Sequence, residues 1–166
     1  MKIMPPAARI TDNVAHPLPP VLTGGPTAVT VIIGKLPAWR GIGAAGAAAL
    51  QAAKKASEIK IKAAEATTAA AVGPAIAAAK TAEETLKAAE AVAMSAMISG
   101  AAGGTDIHAC VTLLPIPPHG PGVVITPSAT VIIANMPAAR MGDTILEAIG
   151  PPNKIVKGEM TVIIGG

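Results

Sequence analysis

Thr130-Val131-Ile132-Ile133-Ala134-Asn135-Met136-Pro137-Ala138-Ala139-Arg140-Met141-Gly142-Asp143 joins two phrases that recur elsewhere in the chain. The first is a short β-branched run bounded by turn residues, which reads as a strand. It returns as Thr30-Val31-Ile32-Ile33-Gly34 and as Thr161-Val162-Ile163-Ile164-Gly165. The second returns as Met4-Pro5-Pro6-Ala7-Ala8-Arg9-Ile10-Thr11-Asp12 and, altered, as Leu36-Pro37-Ala38-Trp39-Arg40. Interleaved repeats take precedence over any other fold reasoning. Each strand-like run follows another strand-like piece ending in a turn, at Gly24-Gly25, Pro127-Ser128 and Lys157-Gly158. The expectation is three small β-ribbons, each too small to stand alone, leaning together in a pseudo-threefold arrangement. The alternative is an ordinary small β-sandwich with convergent strands.

The spacing of the copies exposes an insertion. Copies two and three of the strand phrase lie 31 residues apart, whereas copies one and two lie 100 apart. The excess runs from residue 41 to 104, with Gly-rich punctuation at both ends. It holds two Ala-rich segments, 44–71 and 75–99, broken at Val72-Gly73-Pro74. Alanine has the highest helix propensity, so both segments should be helices. An apparent heptad seam runs through Ala49, Ala52, Ala56, Ile59, Ala63, Ala66 and Ala70. Its counterpart is Ala75, Ala79, Ala82, Leu86, Ala89, Ala93 and Ala96. These predict an antiparallel hairpin roughly 40 Å long at ~1.5 Å per residue. Two readings stand beside each other: a docking arm for cargo or a neighbour, and an insertion that packs on itself; a third, a membrane-active hairpin, is disfavoured by its eleven charges.

All three histidines and the single cysteine lie in two Pro-rich segments. His16 is in Val14–Pro20; His108, Cys110 and His119 are in Asp106–Gly122. Neither segment can be a helix interior. Three imidazoles and one thiolate make a complete tetrahedral donor set for zinc, with no position left for water. That closure points to one structural ion. No zinc-finger spacing fits, and unrelated histidines with one buried cysteine are the alternative.

Composition limits the remaining classes. The 166-residue chain has no Phe, no Tyr and one Trp. Its core must be thin and aliphatic, the situation in which a metal adds most to folding. The net charge of +3 is scattered, without basic clusters, which disfavours nucleic-acid binding. One cysteine suits a reducing compartment. No signal peptide is visible at the N-terminus. Pro115, Pro117, Pro118, Pro121 and Pro127 interrupt the long uncharged run from residue 107 to 139, so it cannot be a spanning helix.

Pro6-Ala7-Ala8-Arg9 and Pro137-Ala138-Ala139-Arg140-Met141-Gly142-Asp143 give the chain a family likeness, with Asp106-Ile107-His108-Ala109-Cys110 and Pro117-Pro118-His119-Gly120. It resembles the PAAR-repeat proteins across residues 1–40 and 105–166. The resemblance implies a mainly β fold, a short β-cone of three ribbons with zinc near its point, here carrying residues 41–104 as an inserted helical hairpin. It implies three His and one Cys as zinc ligands, which carry over to His16, His108, Cys110 and His119. It also implies a non-enzymatic role: the tip of a contractile injection machine, type VI secretion or a related particle. One chain would cap one trimeric VgrG-like spike by β-augmentation at its base, with only transient contact with the target membrane. The protein would be made in the bacterial cytoplasm and expelled with the particle, without a fused toxin domain. Two departures stand out: Trp39 replaces the second Ala of the middle motif, and Gly41-Ile42-Gly43 replaces Gly-Asp. The competing functions are an effector adaptor working through the hairpin and a small zinc hydrolase. The hydrolase is disfavoured by the closed donor set and by the lack of any acid beside the histidines other than Asp106.

Overall fold

A computed structural model describes residues 4–15, 21–23, 28–104, 106–110 and 119–166. In chain order the elements are β1 (Pro6–Ala7), β2 (Ala28–Ile33), β3 (Leu36–Ala38), α1 (Ala44–Ala70), α2 (Ala75–Ala101), β4 (His108–Cys110) and β5 (Gly120–Val124), then β6 (Ile132–Ile133), β7 (Met136–Pro137), β8 (Thr144–Glu147), β9 (Asn153–Lys154) and β10 (Glu159–Ile163). The architecture is mixed: two 27-residue helices accompany several short antiparallel sheets.

The strand phrases do not pair as the sequence suggested. Each pairs with the Pro-Ala phrase that follows it in cyclic order, not with the piece before it. β2 pairs β3 and β6 pairs β7, through two-residue turns at Gly34-Lys35 and Ala134-Asn135. All four turn residues have positive φ, between 45° and 70°, matching the I′ geometry that suits right-twisted strands. The third pair joins the two ends of the chain, β10 with β1, so no turn is needed. Val123-Val124, expected to pair with the second strand phrase, lies in β5, between β4 and β8 in a four-stranded sheet ordered β4-β5-β8-β9. The expected turn at Gly24-Gly25 lies outside the described residues.

The three Pro-Ala phrases are locked in a closed ring of backbone hydrogen bonds. Trp39 N–H donates to the Ala8 carbonyl (2.9 Å), Ala139 N–H to Trp39 (3.0 Å) and Ala8 N–H to Ala139 (3.0 Å). A second ring repeats the pattern: Ile10 to Pro37, Gly41 to Pro137 and Met141 to Pro6. The core has the same periodicity. One buried cluster takes an Ala and an Ile from each copy: Ala7, Ala38 and Ala138 with Ile33, Ile133 and Ile164. The next takes the following position of each copy, Ala8, Trp39 and Ala139, with Val14, Leu22, Val124, Ile145 and Ile155. The core is therefore not wholly aliphatic. Trp39 is completely buried and fills space that two alanines leave open.

The missing Gly-Asp of the middle motif has a structural answer. Arg9 pairs with Asp12 and Arg140 with Asp143, three residues on. Arg40 pairs with Asp106, 66 residues on, at 2.5 Å. In every copy the Asp also accepts the Arg backbone N–H, at 2.8, 2.7 and 3.1 Å for Arg9, Arg140 and Arg40. Each Arg Nη1 then donates to the carbonyl of the last residue of a strand phrase: Gly34, Ala134 or Gly165. The insertion thus splits the middle motif between its Arg and its Asp.

α1 and α2 form an antiparallel pair, tied by Lys60–Glu90 and Lys87–Glu65, both at 2.8 Å. The expected seam is displaced by about one residue in α1. Every position from Ala49 to Ala70 named for it is exposed, and the covered face carries Leu50, Ala53, Ser57, Ile61, Ala64 and Thr68. In α2 the covered face carries Ala79, Leu86, Ala91, Met94 and Ile98, so Ala79 and Leu86 keep their expected place. Alanines on every side of a helix mark no face; the few large apolar residues do. The hairpin root is not hinged on flexible glycines. Ile42, Ala47, Leu50, Met94, Ile98 and Ala102 share one core with Val123, Ile125, Leu146 and Ala148 of the β part.

Candidate metal centre

His108 and Cys110 lie two apart on β4, so both side chains face the same side of the sheet. Both are buried. β4 is held on one edge by Ala109 N–H donating to the Thr23 carbonyl (2.9 Å) and on the other by β5. The register places His108 opposite Gly122, and Gly122 opposite Glu147 of β8. Gly122 makes the cluster possible. A Cβ there would lie 2.9 Å from Glu147 Cγ and 2.8 Å from Ile145 Cγ2. With no side chain in the middle row, the side chains of the outer strands meet over it.

Glu147 is the residue that sequence reasoning missed. It is buried, with Oε2 2.6 Å from His119 Nδ1 and Oε1 3.7 Å from His108 Nε2. The ligating atoms of His108, Cys110 and Glu147 all lie within 4.8 Å of one another. His119, immediately before β5, does not join that group; its ring rests on Gly150, where a Cβ would come within 3.2 Å of Nε2. The local fold holds His119 through its own carbonyl, which accepts the Ile149 N–H. His16 lies outside the described residues. Its neighbour Ala15 donates its N–H to the Lys154 carbonyl on β9 (2.7 Å), at the far edge of the same sheet. Asp106, the one acid weighed as a base from the sequence, is committed to Arg40.

The donor chemistry fits a divalent ion. A buried carboxylate, imidazole and thiol in mutual reach are costly to hold charged without a cation, and N, S and O donors together suit zinc. Such an ion would fix β4 against β8 across the glycine row. The argument against a hydrolase from the absence of a neighbouring acid fails, because Glu147 is that acid.

Residues 114–166 match the family model of the PAAR motif. That C-terminal part of the chain is a PAAR motif. The matched span contains His119, Glu147, the second and third strand phrases and Pro137–Asp143, while the first and middle motifs lie before it. PAAR proteins form the spike tips of contractile injection systems, a structural and not an enzymatic role, and they leave the cell with the particle. No curated protein and no solved structure matches the chain. Among the described residues, no helix is long and apolar enough to cross a membrane.

Proposed function

We propose that this PAAR protein caps and sharpens a trimeric, VgrG-like spike, one chain per trimer, as a three-ribbon cone formed by residues 1–40 and 105–166 with residues 41–104 as an inserted arm. The observation that carries the reading is the repeated exposure pattern of the strand phrases. Ile33, Ile133 and Ile164 are 8 %, 8 % and 4 % exposed, while the residue before each, Ile32, Ile132 and Ile163, is 56 %, 57 % and 48 % exposed. Three isoleucines at the same position of three short strands are exposed, and together they would give an apolar face with threefold repetition. A threefold β-spike offers the complementary edges, and pairing would cover strands that otherwise invite aggregation.

One zinc ion at the His108–Cys110 cluster is part of this reading. The family pattern supplies His16, His108, Cys110 and His119 as its ligands. Bound there, the ion would staple the N-terminal segment to the central strands and stiffen the point. The decisive test is native mass spectrometry of the chain mixed with the β-helical end of its spike protein. A complex of one chain, one zinc and three spike protomers is expected. A different stoichiometry, or no complex, would overturn the tip assignment.

A second reading, an effector adaptor, is favoured by the outer hairpin. Ile59, Val72, Ile76 and Val92 are exposed there. A groove of about 680 Å³ also opens between the helices and Ala148–Pro151. Replacing those four residues with Ser should leave spike capping intact and abolish cargo delivery; unchanged delivery would remove the adaptor role.

A further inference from the structure

We propose that the groove between the helical pair and Ala148–Pro151 binds an extended apolar peptide segment that carries one carboxylate. The proposal rests on the adaptor reading given above and names the chemistry of the cargo segment held there.

Packing opens the groove. The core shared by the helices and the β part ends at Ala148. Beyond it the helices present Ile61, Ala88 and Ala91 across a gap from Ile149 and Pro151. Alanine side chains are too short to close that gap. The space left, about 680 Å³, falls within the ~300–1,000 Å³ of small-ligand sites. The loop between β8 and β9 supplies the polar part of the floor. Ala148 N–H donates to the Pro121 carbonyl and Ile149 N–H to the His119 carbonyl. The Gly150 N–H and the Ile149 carbonyl have no hydrogen-bond partner among the described residues. An extended peptide can use one backbone donor and one acceptor, whereas a lipid chain cannot.

Charge selects the carboxylate. Lys54, Glu58 and Lys62 are spaced four apart on α1, so they share the wall of the groove. Lys54 Nζ donates to the Ala148 carbonyl, and Lys62 joins none of the ion pairs of the hairpin. Lys87, on the other wall, is already answered by Glu65 and Glu83. Two ammonium groups therefore stand against one carboxylate, beside an aliphatic surface. Burial depresses the pKa of Lys54, the mark of a charge short of compensation. One carboxylate brought in by a ligand balances the site.

The test titrates the full ¹⁵N-labelled chain with two probes, the tripeptide N-acetyl-Leu-Val-Leu as its free acid and as its amide. The free acid should move the Ile149 and Gly150 amide signals and bind about 10-fold more tightly than the amide, the increment of one hydrogen bond to a charged group. Lys62→Gln should narrow that preference. Ala88→Phe should fill the groove and abolish binding of both probes. Both positions are exposed, so circular dichroism should be unchanged in each variant. No binding, equal affinity for acid and amide, or a preference that survives Lys62→Gln in full would overturn the proposal. Decanoate binding at the same signals as tightly as the free acid would also overturn it, by marking a lipid site. Cargo delivery by the chain with its four exposed residues replaced by Ser is scored separately. Lost delivery without any probe binding would end this proposal and leave the adaptor role standing.

Discussion

Asp106 carries more than its place beside two candidate ligands suggests. It is fully buried, it neutralises Arg40, and it returns the chain to the middle motif after the insertion. Removing one partner of a buried pair leaves an uncompensated charge, so Asp106→Ala should destabilise the fold by about 3–5 kcal/mol in denaturant titration. Trp39 is the other single residue on which the β core depends. Trp39→Ala should cost about 3–5 kcal/mol by the same measurement, since the surrounding ring of hydrogen-bonded backbone cannot collapse into the cavity. Neither role could be read locally. The partner of Arg40 is remote in sequence, and Trp39 resembles a lapse in the motif until its neighbours are seen.

At the scale of elements, the hairpin root and its outer part have different duties. Removing residues 44–103 would bare Val123, Ile125 and Leu146, so that deletion should lower the melting temperature. Replacing only residues 62–86 with a short turn should leave it nearly unchanged. Lys54 on α1 reports the contact between the two parts. Its Nζ donates to the Ala148 carbonyl at 2.9 Å, and burial depresses its pKa, with Glu58 and Glu147 opposing the shift. A lysine with a depressed folded-state pKa holds its proton less tightly folded than unfolded. Folding is therefore penalised while Lys54 is protonated, and the penalty lifts as pH rises through the folded pKa. As pH rises towards the ordinary lysine pKa, wild type should gain stability relative to Lys54→Met in paired thermal melts. The helices themselves were legible from alanine content. Their covered faces were not, because propensity says nothing about which side meets a partner.

For the whole molecule, the base and the metal make separable predictions. Ile32→Asp, Ile132→Asp and Ile163→Asp combined should abolish spike capture while leaving the fold intact, because all three side chains are already exposed. Circular dichroism and native mass spectrometry on one sample check both halves. With zinc at the proposed site, a strong chelator should lower the melting temperature by about 10 °C or more, since metal binding energy is folding energy at such a site. An unchanged melt would mean that the hydrogen-bonded rings alone hold the β part.

Contiguous residues show that the chain is a repeat, that an Ala-rich helical pair interrupts it, and that histidines and a cysteine gather in two segments. These are local properties: β-branched runs, helix propensity and residue spacing are written in contiguous residues. The rest emerges only when the copies pack together. It paired each strand phrase with the following motif, closed the ring with the two chain ends, returned Asp106 to Arg40 across the insertion, and placed Glu147 among His108, Cys110 and His119. Each of these joins residues far apart in the chain. The energy that selects them comes from burying Trp39, satisfying backbone donors and pairing buried charges, and none of these exists until the copies meet.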